Sequence, residues 1–209
     1  MEGWGPVQKS KQNLINGESP MVYPVMPYPT YILDVEGVVA DLSECYSKAF
    51  SSAFAEFGIP FETERLEEYI STPLDVLFSR YFKGCTCRYR DFVTKFMGEF
   101  DRAFASGFVV DEDAAAKVKE LHSQGAGIGA VSDLFEMYVR AILSSAGVED
   151  CVDRILSAER MAVPRPDPFC LNTLMREMGA DASSTVLVAK GERNRECAER
   201  AGIPMMLAL

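Results

Sequence analysis

The sequence predicts a three-layer α/β fold with a five-stranded parallel sheet and an inserted helical cap. Three observations predict it. Short apolar runs alternate with amphipathic helices from about residue 112 to the end. A first apolar run, Thr30–Leu33, stands ahead of them and ends abruptly in Asp34. Between the two, residues 43–105 carry only helical spacing. Strands alternating with helices imply parallel pairing, right-handed crossovers and a sheet covered on both faces. The chain therefore divides into an extended arm (1–29), an α/β core (30–42 and 106–209) and a helical cap (43–105) inserted over the crevice.

Taken in order, Pro6, Pro20, Pro24, Pro27 and Pro29, with Gly3, Gly5 and Gly17, break any regular element in the arm. Its segment 21–29 is too apolar for a solvated tail, so it is expected to lie on this protein or on a protein partner. Cys45, Ala49, Phe50, Ala53, Phe54 and Phe57 space a helix over 43–57 that Gly58 stops. Three further stripes run through Leu66–Ile70, Leu74–Phe82 and Phe92–Phe104, with Pro73 and Gly84 between them. Their aromatic residues read as core. Helices follow over 114–123, 134–146, 168–178 and the charged stretch to Ala201, the last three stopped by Gly147, Gly179 and Gly202. Strands are expected at 127–131, 152–156, 185–189 and 205–209.

Composition bounds the function. The 209 residues are 48% hydrophobic and 25% charged, with a net charge of -10. No basic stripe suggests nucleic acid, and no apolar run approaches a membrane span. The N-terminus lacks a secretory or organellar pattern, so an intracellular, cytoplasmic protein is expected. The six cysteines read as reduced and partly buried; only Cys85-Thr86-Cys87 is close-spaced, a weak metal signal by itself. His122 is the single histidine and reads as a surface residue, which makes a Ser-His-Asp hydrolase a poor fit.

The chemistry-bearing residues fall at strand ends, where open α/β sheets bind ligands. They are Asp34-Val35-Glu36-Gly37 after the first strand, Ser132-Asp133 after 127–131, Arg165-Pro166-Asp167-Pro168, and Lys190-Gly191-Glu192-Arg193-Asn194 after 185–189. In order and spacing these resemble the four motifs of the haloacid dehalogenase (HAD) superfamily. The likeness is to the phosphoglycolate-phosphatase and β-phosphoglucomutase-like members with a helical cap. It covers about residues 30–209.

The resemblance implies a hydrolase, a phosphatase of a small phosphorylated metabolite, working through an aspartyl-phosphate. Asp34 would be the nucleophile and Glu36 the acid and base, although the usual residue there is Asp; a D-x-E-G pattern also resembles enolase-phosphatases. Ser132 would hold a phosphoryl oxygen, Arg165 would replace the usual Lys, and Gly37 and Asp133 would line the substrate site. Mg2+ would be bound by Asp34 and Glu36 with an Asp from the last motif. Here Lys190 takes that Asp's place and Asn194 that of a second acid. Asp34 and Glu36 then oppose Arg165 and Lys190, a sum of zero, which predicts weak magnesium binding. Lys190 would supply positive charge without metal or would pin Asp34 in an ion pair. If the loop slips by two residues, Glu192 becomes the metal ligand and Glu196 the later acid. The alternative function is a catalytically silent HAD-like subunit of a larger assembly. The motifs leave the substrate unnamed, and leave a mutase or a dehalogenase open.

Overall fold

The computed structural model describes residues 28–207. The arm and its apolar segment therefore lie outside the described residues except for Tyr28 and Pro29. Those two are tied to the core: Gly127 N–H donates to the Pro29 carbonyl at 2.8 Å, and Tyr28 packs edge-on against Tyr31.

Five parallel strands form the sheet in the order β5-β4-β1-β6-β7: β1 Thr30–Asp34, β4 Gly127–Val131, β5 Arg154–Leu156, β6 Thr185–Val188 and β7 Met205–Met206. β1 lies at the centre with every residue buried. Its sequence shows no polar alternation because both faces are covered. Side-chain alternation instead sorts its residues between two apolar clusters. Tyr31 and Leu33 face the larger one, with Val118 of α6 (Glu112–Ser123) and Val139 and Ile142 of α7 (Glu136–Ser145). Ile32 faces the smaller one, with Leu171 and Leu174 of α8 (Phe169–Met178) and Ala198 of α9 (Glu192–Ala201).

The larger cluster continues into the helical stretch: α2 Ser43–Glu56, α3 Leu66–Ser71, α4 Leu74–Tyr81 and α5 Tyr89–Ser106. Phe50 of α2 meets Phe96 of α5 at 4.6 Å between centroids, and Phe82 meets Phe92 at 4.7 Å. The aromatic stripes are thus core. A short antiparallel pair, β2 Ala40–Asp41 with β3 Val109–Val110, joins the entry and exit of this stretch. No periodicity predicts this pair, since two-residue strands are too short to alternate. The final strand is also shorter than expected, ending at Met206.

Helix α6 starts on a side-chain cap: the Asp111 carboxylate accepts the Ala114 N–H at 2.9 Å. Asp111→Ala is expected to cost about 1 kcal/mol in urea denaturation, with the fold retained.

Candidate active site

Parallel register brings the four sequence segments to one edge. Asp34 pairs with Val131 of β4, so Ser132 follows directly beside it. Leu33 pairs with Val188 of β6, so Ala189 and Lys190 extend along the other side. After Asp34 the chain turns sharply through α1 (Val35–Val38), a kinked helical turn in which Gly37 sits at φ +84°. That is left-handed backbone, which a side chain strains, and it explains the glycine.

Asp34 is buried and held on both oxygens. Arg165 Nη1 donates to Oδ1 at 2.8 Å and Asn194 Nδ2 donates to Oδ2 at 2.7 Å. The same Nη1 donates to Asn194 Oδ1 at 2.6 Å, closing a triangle. Arg165 Nη2 pairs with Asp133 at 3.0 Å, and Asp133 also pairs with Arg193 Nη1 at 2.9 Å. Arg193 Nε donates to the Arg165 carbonyl at 2.9 Å, which fixes the arginine loop against α9. Arg165 Nε is buried with no partner among the described residues, an arrangement that costs about 1–3 kcal/mol.

Glu36 is half-buried beside this network. Ser132 Oγ donates to its Oε2 at 2.6 Å and accepts the Leu134 N–H at 3.0 Å. Burial first, then the neighbouring Asp34 charge, push the Glu36 carboxyl up to about 7. Burial also raises Asp34, with Arg165 pulling it back. The charges of Asp34, Asp133 and Glu36 hold Arg165 well above its ordinary range, outweighing its burial.

Asp34, Glu36, Gly37, Asp133, Arg165 and Lys190 all line one open cavity of about 1620 Å³ between the sheet edge and the helical stretch. Its far wall is formed by residues 63–68, 70 and 71, and by Tyr46. Ser132 is fully buried behind it.

Several expectations are refined by this geometry. The ion pair that pins Asp34 is made by Arg165; Lys190 is exposed at the cavity wall. Asp133 does not cap the following helix but bridges two arginines. Arg193, from the charged stretch before Ala201, belongs to this network. Asn194 reaches Asp34, which is the register without a slip, while Glu192 is exposed and pairs with Arg195 at 3.6 Å. Glu196 pairs with Arg200. Asp167 accepts the Phe169 N–H at 2.9 Å, a local turn contact, and His122 is exposed as expected. Counting Asp133 and Arg193 adds one charge of each sign, so the balance of the cluster stays at zero.

A family model for haloacid dehalogenase-like hydrolases matches residues 31–208. The chain belongs to this family. Among its relatives, a Dickeya dadantii protein named "Probable phosphatase IndB" is 26% identical, over 84% of this chain and 78% of its own length. A phosphoglycolate phosphatase of Yersinia pestis is 24% identical, over 82% and 76%. In structure, CbbY of Rhodobacter sphaeroides in complex with phosphate superposes with a TM-score of 0.73 at 19% identity, over 86% and 85% of the two chains. That likeness shows the shared fold.

For a HAD-like hydrolase, magnesium is the implied cofactor, and the residues here do not fit it. Mg2+ needs near-octahedral oxygen donors, usually including carboxylates. Both Asp34 oxygens already accept from cationic or amide donors, and the neighbouring Lys190 and Asn194 bring no carboxylate. Among the described residues no three His, Cys, Asp or Glu side chains group to hold a metal ion. Arg193 was not legible as a site residue by motif. Its signal lay in the first turn of α9, directly after a strand end.

Proposed function

We propose that this HAD-like hydrolase is a phosphatase of small phosphorylated metabolites, with Asp34 as nucleophile and Glu36 as acid and base. One observation carries the reading. Two carboxyl groups share the strand tip in different environments: Asp34 is pinned by Arg165, and Glu36 holds its proton up to about pH 7. Such a split suits a nucleophile and a proton donor working together. The phosphatase names among the relatives and the phosphate bound by CbbY support the substrate class.

A carboxylate offers about four lone-pair sites, and the two hydrogen bonds on Asp34 leave others free for attack on phosphorus. As the phosphorus–oxygen bond to the leaving group breaks, Glu36 gives that oxygen its proton. Ionised Glu36 then takes a proton from water, which attacks the aspartyl-phosphate, releases phosphate and restores Asp34. Arg165 and Lys190 supply the positive charge this approach needs; an unscreened like-charge pair near 4 Å costs roughly 4 kcal/mol at an effective dielectric of about 20. No step calls on magnesium. The residues 43–105 above the cavity act as the cap that selects the substrate, with Gly37 and Asp133 on its near wall.

The pH dependence tests these roles. Asp34 must be ionised, so kcat/KM rises with pH as its carboxyl deprotonates. Glu36 must be protonated to serve the leaving group, so kcat/KM falls as pH passes about 7. Glu36→Gln is expected to lower the rate and to remove the falling limb. A falling limb that survives in Glu36→Gln would assign the acid elsewhere.

A second reading is favoured by the engagement of both Asp34 oxygens: a silent binding subunit, with segment 21–29, outside the described residues, docking on a protein partner.

A further inference from the structure

The turn between α4 and α5 sets two thiols side by side. Cys85 and Cys87 are both half-exposed free cysteines, and their sulfurs lie 2.6 Å apart. The Cys87 N–H donates to Cys85 Sγ at 3.3 Å, and the Cys85 N–H is anchored on the Phe82 carbonyl at 3.0 Å. Gly84, at φ +84°, bends the chain between that anchor and the thiols. Thr86 between them is exposed, as are the flanking Lys83, Arg88 and Arg90. Arg88 is paired with Asp91 at 3.0 Å. Among the described residues no third metal-ligating side chain joins the pair. The other close sulfurs, Cys170 and Cys197, are 4.0 Å apart and fully buried.

We propose that Cys85 and Cys87 form a thiol–disulfide exchange site for a small anionic disulfide of the glutathione class. The contact of the sulfurs favours ring closure between them, their exposure admits a small oxidant, and the basic flanks attract an anionic one. The Cys85 thiolate, held by the Cys87 N–H, attacks one sulfur of the small disulfide. A mixed disulfide forms and one thiolate leaves. Cys87 then loses its proton to solvent and attacks the Cys85 sulfur, closing the 85–87 disulfide and expelling the second thiolate. The protein dithiol gives up two electrons and two protons, and the small disulfide becomes two thiols. Burial and the neighbouring Cys85 push the Cys87 thiol up to about 11, so it stays protonated while Cys85 makes the first attack.

The test uses the full reduced chain equilibrated with graded ratios of reduced to oxidised glutathione, quenched in acid, alkylated and cut with trypsin. Cleavage after Lys83 and Arg88 frees residues 84–88 with both thiols. This peptide is expected to pass from doubly alkylated to unalkylated, two hydrogens lighter, in one transition. In Cys87→Ser it is expected to keep a glutathione adduct on Cys85, with an unchanged circular dichroism spectrum. A peptide that stays doubly alkylated at ratios where Cys151 carries an adduct would overturn the proposal. So would separate adducts on both thiols, or a disulfide from Cys85 to a cysteine outside the turn.

Discussion

Asp34→Asn is expected to abolish phosphate release, by about 10³-fold or more in kcat/KM, some 4 kcal/mol of transition-state stabilisation. An amide has no anionic oxygen to attack phosphorus and cannot form the acyl phosphate. The variant should fold. Asparagine is close to isosteric, its carbonyl oxygen still accepts from Arg165, and Asp133 still balances the guanidinium. The one bond lost is that from Asn194 Nδ2, which an amide NH2 cannot accept. Matched thermal melts of variant and wild type would separate loss of chemistry from loss of structure. Retention of wild-type kcat/KM would remove Asp34 from the mechanism.

Arg165→Ala carries the largest expected cost in stability. The Arg165 and Asp34 side chains are only 6% and 9% exposed. Deleting the guanidinium leaves Asp34 buried without an opposite charge and takes one of two cationic partners from Asp133. Breaking a buried pair from one side costs about 3–5 kcal/mol. The loss should shrink at acid pH. Asp34 is raised already with Arg165 present, and without it the folded carboxyl rises further; such a group destabilises the fold as pH climbs through its window and does so least below its unfolded value. Urea denaturation near pH 7 and near pH 4 checks both magnitude and sign. A cost below about 1 kcal/mol would place the pair with ordinary surface bridges.

Much of this was legible in the sequence, for identifiable reasons. The strand tips were, because an apolar run that stops at Asp34, Ser132 or Lys190 marks both a sheet and its ligand edge. The helical stretch was, because phenylalanines at three- and four-residue spacing have little else to do than pack. The partner of Asp34 was not. Lys190 and Arg165 both stood within reach in chain order, and only the three-dimensional path of the 158–168 loop selects Arg165. Asp133 was legible as part of the site beside Ser132, but its bridging role was not, because the two arginines that claim it come from distant segments. Asn194 was placed in register by counting, but its contact with Asp34 depends on the rotation of α9. The β2–β3 pair was invisible because its strands are two residues long.

The central claim is metal-independent phosphoryl transfer through Asp34. Phosphate release from a panel of small phosphate monoesters, with magnesium and with EDTA, for wild type beside Asp34→Asn, tests it most directly. The account predicts turnover that EDTA leaves unchanged and that Asp34→Asn removes. Turnover that requires magnesium would contradict the assignment of positive charge to Arg165 and Lys190. No turnover above Asp34→Asn on any ester would contradict the phosphatase itself and leave the silent binding subunit.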